Sequence, residues 1–242
     1  MSIKPPKYSY PGKELHLFDK AINWKSYWAN VLKPYLGEFI VEVGAGIGSN
    51  ALPLLYVKPE IKKLTLVEPD QGLFDNLIIN TKTLSNQRVN AIHGSLNDLQ
   101  TIFDGSCSSA PSSPKFDTIL YIDVLEHIEH DYDEIQKASS LIGEQGRIIV
   151  LSPAHNFLYS NFDSAVGHFR RYDKTMLRSL TPSGMFLEAL FYLDSLGLFA
   201  SLFNKLIFKQ LLPTSRQICM WDNLIVRGSR IFDPLLKYKL GK

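Results

Sequence analysis

Cysteine is nearly absent from this sequence. Cys107 and Cys219 are the only two in 242 residues, far apart and in polar surroundings. They exclude a disulfide framework and a cysteine zinc motif, and they favour a reducing compartment. A long apolar run is missing too. The most apolar region, 185–212, is interrupted by Glu188, Asp194, Lys205 and Lys209, and its longest uncharged internal stretch, 195–204, is ten residues. A membrane-spanning helix needs about 20, so none is expected. The opening Met1-Ser-Ile-Lys-Pro-Pro-Lys7 has no hydrophobic signal core, and a cytoplasmic location is expected. Nor does one sign of charge dominate. The net charge is +2, with 21% charged and 45% apolar residues, an ordinary globular balance in a chain long enough for one sizeable core.

That small net charge hides an asymmetry. Residues 204–242 hold eight Lys or Arg against Asp222 and Asp233, a local +6 that leaves −4 for the rest. A basic tail of this kind favours an anionic substrate or peripheral contact with an anionic membrane surface, or is simply a solvated face.

What the sequence does contain is a glycine loop in a telling place. In Phe39-Ile-Val-Glu-Val-Gly-Ala-Gly-Ile-Gly-Ser-Asn50 an apolar run predicts a strand, Gly44, Gly46 and Gly48 follow at alternate positions, and Ser49 and Asn50 open a helix. Strand, glycine turn and helix start together bring backbone close to a ligand, since glycine has no Cβ and tolerates positive φ. A second apolar strand, Leu64-Thr-Leu-Val-Glu68, ends in a carboxylate 20 residues after Gly48, the usual distance for an acid that grips ribose hydroxyls. The dinucleotide pattern G-x-G-x-x-G would place its third glycine at Ser49, so that fingerprint fails.

With Glu42 two residues before it, this G-x-G-x-G loop resembles the first motif of class I S-adenosylmethionine-dependent methyltransferases. Val67-Glu-Pro-Asp70 resembles their second motif. Phe116-Asp-Thr-Ile-Leu-Tyr-Ile-Asp-Val-Leu-Glu-His-Ile128 resembles motif IV of the ubiquinone and small-molecule branch. The resemblance covers roughly Trp24 to Leu180. Pro153, Leu158-Tyr159, Asp163, Gly167-His168 and Arg170-Arg171-Tyr172 are also similar to methyltransferases found beside, or fused to, glycosyltransferases.

The resemblance implies S-adenosyl-L-methionine as cofactor. Its tail carboxylate would lie at the glycine turn and helix start, Glu42 would face its ammonium, and Glu68 would accept bonds from the ribose diol. Each such charge-assisted bond contributes roughly 1.5–3 kcal/mol. Ser95 and Leu96 follow the third strand, where the family often has an acid on the adenine amino group. Ser95 departs from that pattern, with Asp98 three residues on. Asp123, just past the fourth strand, is placed to contact cofactor or acceptor.

Alternating strands and helices predict an α/β fold, a doubly wound, Rossmann-like, mainly parallel sheet in a single domain over 1–242. An N-terminal helical cap is expected over 1–36, holding Tyr8, Tyr10, Trp24, Tyr27, Trp28 and Tyr35, its aromatics mainly packing. The core follows over 37–193, and a basic, apolar helical extension over 194–242. Strands are expected at about 39–43, 64–68, 89–93, 116–122, 147–152 and 186–193. Helices are expected to follow Asn50, to span Gly72 to Leu84, and to span Asp131 to Ile142, the last closed by Gly143 and Gly146. The Ser- and Pro-rich 104–115 reads as a surface loop. After 193 an amphipathic helix is expected, either packed as core or lid, or facing a membrane. The family's usual last strand, antiparallel, is supplied by Asn223-Leu-Ile-Val-Arg227 or is missing.

The reading is methyl transfer to a small-molecule or lipid- or sugar-linked acceptor. If the acceptor is a hydroxyl, His127 or His168 would serve as base. His155, Arg170, Arg171 and Tyr172 are candidate substrate contacts, the arginines for an anionic group. They are equally able to anchor their loop on Asp163 or Asp173. His130 reads as a surface residue at a helix start. No metal constellation is expected: His127 and His130 are three apart with no third ligand at a metal spacing. Nucleic acid is not an expected partner, because the basic tail lacks interleaved stacking aromatics. Two rivals remain: a nicotinamide-dependent oxidoreductase, and a non-catalytic, membrane-associated protein of the same fold.

Overall fold

In the computed structural model, residues 8–12, 14–84, 88–99, 116–203, 205 and 212–242 are described. The loop expected over 104–115, with Cys107, lies outside them, as do 1–7 and 206–211. The chain forms two compact units. One comprises Met1–Tyr10, Leu32–Leu125 and Tyr132–Leu151, the other Pro11–Val31, Glu126–Asp131 and Ser152–Lys242.

The first unit is built on a five-stranded sheet: β1 (Phe39–Val43), β2 (Lys63–Glu68), β3 (Val89–His93), β4 (Phe116–Ile122) and β5 (Ile142–Leu151). Every pairing is parallel and the order is β3-β2-β1-β4-β5. The order reverses between β1 and β4, the switch point at which ligands bind in open sheets of this kind. The central strands are apolar on both faces because helices cover both. Ile40, Val41, Leu64, Leu66, Ile119 and Leu120 are all completely buried. Val43 is level with Val67 and with Tyr121, and Glu68 with His93, so the carboxyl ends of four strands form one edge.

Three helices of this unit are α3 (Ala51–Val57), α4 (Gln71–Thr81) and α5 (Asp131–Leu141, whose first residue belongs to the second unit), numbered after two in the second unit. Asp70 caps α4 by accepting the Leu73 N–H at 2.9 Å. Leu77 and Thr81 turn its inner face to the core. The fifth strand starts earlier than expected. Gly143 and Gly146 do not end α5 but lie inside β5, where the register against β4 shifts between Phe116 and Thr118. Gln145 there has φ 62°, and a Cβ on Gly146 would overlap the Ile142 side chain. The glycines shape a bulge at the strand's start.

The second unit is helical: α1 (Leu15–Phe18), α2 (Ile22–Leu32, whose last residue belongs to the first unit), α6 (Asn161–Val166), α7 (Lys174–Ser179), α8 (Ser195–Phe203) and α9 (Ser215–Met220). A π-helical segment, Trp221–Ile225, leads from α9 into α10 (Val226–Leu235). Three buried aspartates join these helices. Asp222 accepts the Trp24 N–H at the start of α2 (2.8 Å). Asp233 accepts the Tyr27 hydroxyl (2.6 Å) and the N–H groups of Asp194 and Ser195. Asp194 accepts the Trp221 indole N–H (2.8 Å) and the Ser229 hydroxyl. Tyr27 and Trp28 are buried, and the Trp24 ring lies against those of Tyr27 and Trp221, as packing residues.

One strand expectation fails here, and one of the two alternatives for the last strand is removed. Residues 186–193 form no strand, because their backbone turns to the chain's end: Tyr192 N–H donates to Tyr238 O and Lys242 N–H to Leu193 O. Asn223–Arg227 is helical. Its neighbours Asp222, Val226, Ser229 and Asp233 face inward at helical spacing, and no antiparallel strand occurs among the described residues. No described helix is long and apolar enough to cross a membrane.

Candidate cofactor loop and histidine cluster

Strand β1 delivers the chain to the switch point, where it turns sharply. Gly44, Gly46 and Gly48 have φ of 66°, 57° and 78°, the left-handed region that disfavours any side chain. At Gly44 space is also limiting: a Cβ there would lie 2.8 Å from the Val124 side chain. Glu42, 1% exposed, accepts the Asn50 amide at 2.7 Å, tying the strand to the far end of the loop.

Glu68 closes the other side. Its carboxylate is buried, with Oε2 accepting the Gly46 N–H and Oε1 the Asp70 N–H, each at 2.8 Å. Burial pushes its pKa up to about 7, the two N–H donors pulling the other way and the Asp70 charge adding to the rise. Asp70 is itself held low: burial works against it, but N–H groups of Tyr10, Leu73 and Gly72 outweigh that. The N-terminal segment thus reaches the acids at the end of β2. Tyr10 N–H meets Asp70 Oδ2 at 2.9 Å, and the Tyr8 hydroxyl is raised by burial and by the charges of Glu68 and Asp70. Sequence reasoning placed these tyrosines in a cap but not beside Glu68.

Of the eight expected cofactor residues, Glu42, Gly44, Gly46, Gly48, Glu68 and Asp123 gather at the carboxyl edge of β1, β2 and β4. Asp123 is exposed, with φ 53°, and its N–H donates to Leu151 O. Ser95 follows β3, and both its N–H and its hydroxyl donate to Asp98 Oδ2 (2.7 and 2.8 Å). Leu96 is completely buried, so its side chain belongs to the core.

The other six candidates lie in the second unit, where two of them, both histidines, meet ring to ring. The rings of His127 and His168 sit edge to face with centroids 4.5 Å apart. Burial, with His168 adding to it, lowers the His127 pKa to about 4. His168 Nδ1 is 3.0 Å from Asp163 Oδ1, and its Nε2 is 3.9 Å from Glu126 Oε1. Sequence reasoning missed Glu126, which is fully buried and accepts the Ser152 hydroxyl through Oε2 at 2.9 Å. The available signal was its position directly before His127.

Asp163 is the centre of this region. It is fully buried, closes a capping box with Ser160 at the start of α6, and takes a bidentate pair from Arg171 (2.7 and 3.0 Å). Despite burial, His168 and Arg171 hold its pKa down at about 2. Arg171 is thereby an anchor. Arg170 is one as well, pairing with Asp131 at 2.6 Å and with the carbonyls of Ile128 and Glu129. Tyr172 donates its buried hydroxyl to the same Asp131 at 2.7 Å, while Asp173 caps α7. His155, with φ 65°, bonds Gly241 O through Nε2 and packs its ring near Tyr192. His130 is exposed, as expected.

No protein-family model matches the sequence, and no curated protein matches it. Solved structures do resemble the fold. YcgJ from Bacillus subtilis is 14% identical with a TM-score of 0.50, over 65% of each chain. An O-methyltransferase family protein from Burkholderia thailandensis is 16% identical with a TM-score of 0.51, over 67% of this chain and 51% of that one. The chain thus spans about half to two thirds of the length of these structures. Sheet order, glycine loop and structural likeness converge: this chain has the Rossmann-like fold of class I methyltransferase structures.

Proposed function

We propose that this protein transfers a methyl group from S-adenosyl-L-methionine to a small-molecule or lipid- or sugar-linked acceptor. The observation carrying this reading is the junction of Glu68 with the glycine loop. A buried carboxylate with a lone pair to spare on each oxygen stands beside backbone that no Cβ screens. That combination suits a ribose diol next to an amino-acid tail, and the loop lacks the spacing that cradles a pyrophosphate.

When bound, the cofactor supplies a methyl group on a sulfonium, already a good leaving group. In this reading Glu68 accepts the ribose hydroxyls, Glu42 opposes the ammonium, and Gly44, Gly46 and Gly48 let the tail approach the main chain. Ser95 lies on the adenine side and Asp123 near the reacting end. Alignment and exclusion of water provide most of the acceleration. For a hydroxyl acceptor, His127 or His168 takes the proton. His127 is neutral at pH 7, but the burial that lowers its pKa to about 4 also makes it a weak base. His155 is the remaining polar candidate for substrate. Arg170, Arg171 and Tyr172 would act mainly by holding their loop in place.

Thermal shift separates this reading from a nicotinamide-dependent one. S-adenosylhomocysteine is expected to raise the Tm and NAD to leave it unchanged; the reverse result overturns the proposal.

Peripheral membrane contact is proposed through 195–242. Leu224, Ile231 and Leu235 are 66–73% exposed along the π segment and α10, with Arg227 and Arg230 exposed nearby. Flotation with anionic but not neutral vesicles is expected, weakened by Ile231→Glu. Absence of flotation contradicts it.

A further inference from the structure

Glu126 and His127 adjoin in the sequence, and His168 lies 41 residues after His127. The fold brings one donor atom from each to within 4.8 Å of the other two. Ligands around a tetrahedral ion with bonds of about 2.0–2.2 Å stand roughly 3.4 Å apart. Glu126 Oε1 and His168 Nε2, at 3.9 Å, are already near that spacing.

Each of two donors is held in place from behind. His168 Nδ1 is bonded to Asp163, which Arg171 and Ser160 hold in turn. A carboxylate on one ring nitrogen makes that nitrogen the N–H and turns the other lone pair outward, toward Glu126 here. Ser152 donates its hydroxyl to Glu126 Oε2, and the other oxygen, Oε1, is 3.9 Å from His168 Nε2. The main chain is pinned as well: Phe169 N–H donates to Glu126 O, and the Tyr159 hydroxyl to His168 O. A histidine orienting itself on an aspartate needs no third group. The gathering of a second imidazole and a second buried carboxylate, one donor atom from each within 4.8 Å of the others, is what points to a ligand.

We propose that Glu126, His127 and His168 bind one divalent transition-metal ion. Two imidazoles and a carboxylate suit zinc, cobalt, iron or manganese, and suit magnesium or calcium poorly, since those prefer all-oxygen sets. Three protein ligands leave a coordination position open, the arrangement of sites that bind water or a substrate oxygen. A nitrogen that ligates the ion cannot also take a proton. With the ion bound, the base role offered to these histidines would lapse. Ion binding itself does not depend on the methyl-transfer reading.

Cobalt(II) is the probe. The full chain, stripped with chelator and dialysed, is titrated with Co2+ while visible absorption is recorded. One equivalent is expected to develop the d–d bands of a low-symmetry, low-coordinate site, and Zn2+ to abolish them. His127→Ala and His168→Ala are each expected to weaken binding by at least about 100-fold, the upper end of what losing a supporting partner costs. Glu126→Gln, which keeps the buried volume, should weaken it too, and His130→Ala should not. Circular dichroism of every variant confirms folding. Absence of bands from folded wild-type protein overturns the proposal, as does binding retained by both histidine variants. S-adenosylhomocysteine titrated into the same samples reports on the methyl-transfer reading separately.

Discussion

The Glu68 carboxylate accepts the Gly46 N–H at 2.8 Å. The acid at the end of β2 and the glycine loop after β1 are thereby one hydrogen-bonded unit, and a ligand held by one is placed against the other. The bond also means that Glu68 shapes the loop, so its replacement has two consequences that must be separated.

Glu68→Gln is the variant that separates them. The amide keeps the size of the side chain and one acceptor oxygen for the loop, but removes the charge that strengthens bonds to the ribose diol. Calorimetric titration with S-adenosylhomocysteine is expected to show binding weakened by about tenfold or more, one charge-assisted bond being worth roughly 1.5–3 kcal/mol. Unchanged affinity would remove the ribose assignment.

The same group gives the protein a pH signature. The Glu68 pKa stands at about 7 in the fold against an ordinary 4.5. A raised folded-state value means a contribution fully present below pH 4.5 and lost as pH rises through 7. Between pH 5 and 8 the stability difference is expected to move in favour of Glu68→Gln, by on the order of 3 kcal/mol. Ionisation also improves the acceptor, so wild-type affinity for S-adenosylhomocysteine should rise through pH 7 and that of the variant should not. Parallel denaturant titrations at pH 5 and 8 check the first expectation; identical pH profiles contradict it.

Gly44→Ala probes the loop itself. It forces a Cβ onto a φ of 66° and to within 2.8 Å of Val124. A loss of about 2–4 kcal/mol is expected from strain and overlap together. Val124→Ala in the same chain should recover only the overlap part. Full recovery would mean that backbone strain contributes nothing.

Much of this was legible in the sequence. β1 to β4 fall where apolar runs end in glycines or acids, because a strand buried on both faces must be apolar throughout and a ligand edge must not be. Only the start of β5 was misread, because glycine closes a helix and shapes a bulge with the same residue. The stretch 186–193 has the composition of a strand, but its partner is the chain's last residues, and pairing choice leaves no local mark. The acids that matter in the second unit act across distance. Asp163 meets Arg171 eight residues on, and His127 meets His168 after a long excursion. No periodicity encodes such a meeting, so the arginines read equally well as substrate ligands and as anchors.

Arg171 now has a definite expectation. Arg171→Met leaves Asp163 buried without its bidentate partner, and breaking a buried pair from one side costs about 3–5 kcal/mol. A clear fall in Tm with unaltered affinity for S-adenosylhomocysteine is expected. A stable variant would return Arg171 to the substrate side.

Isothermal titration of the folded full chain with S-adenosylhomocysteine tests the central claim most directly. Saturable heat at one ligand per chain, reduced in Glu68→Gln, is the result expected. No heat at millimolar ligand would contradict it.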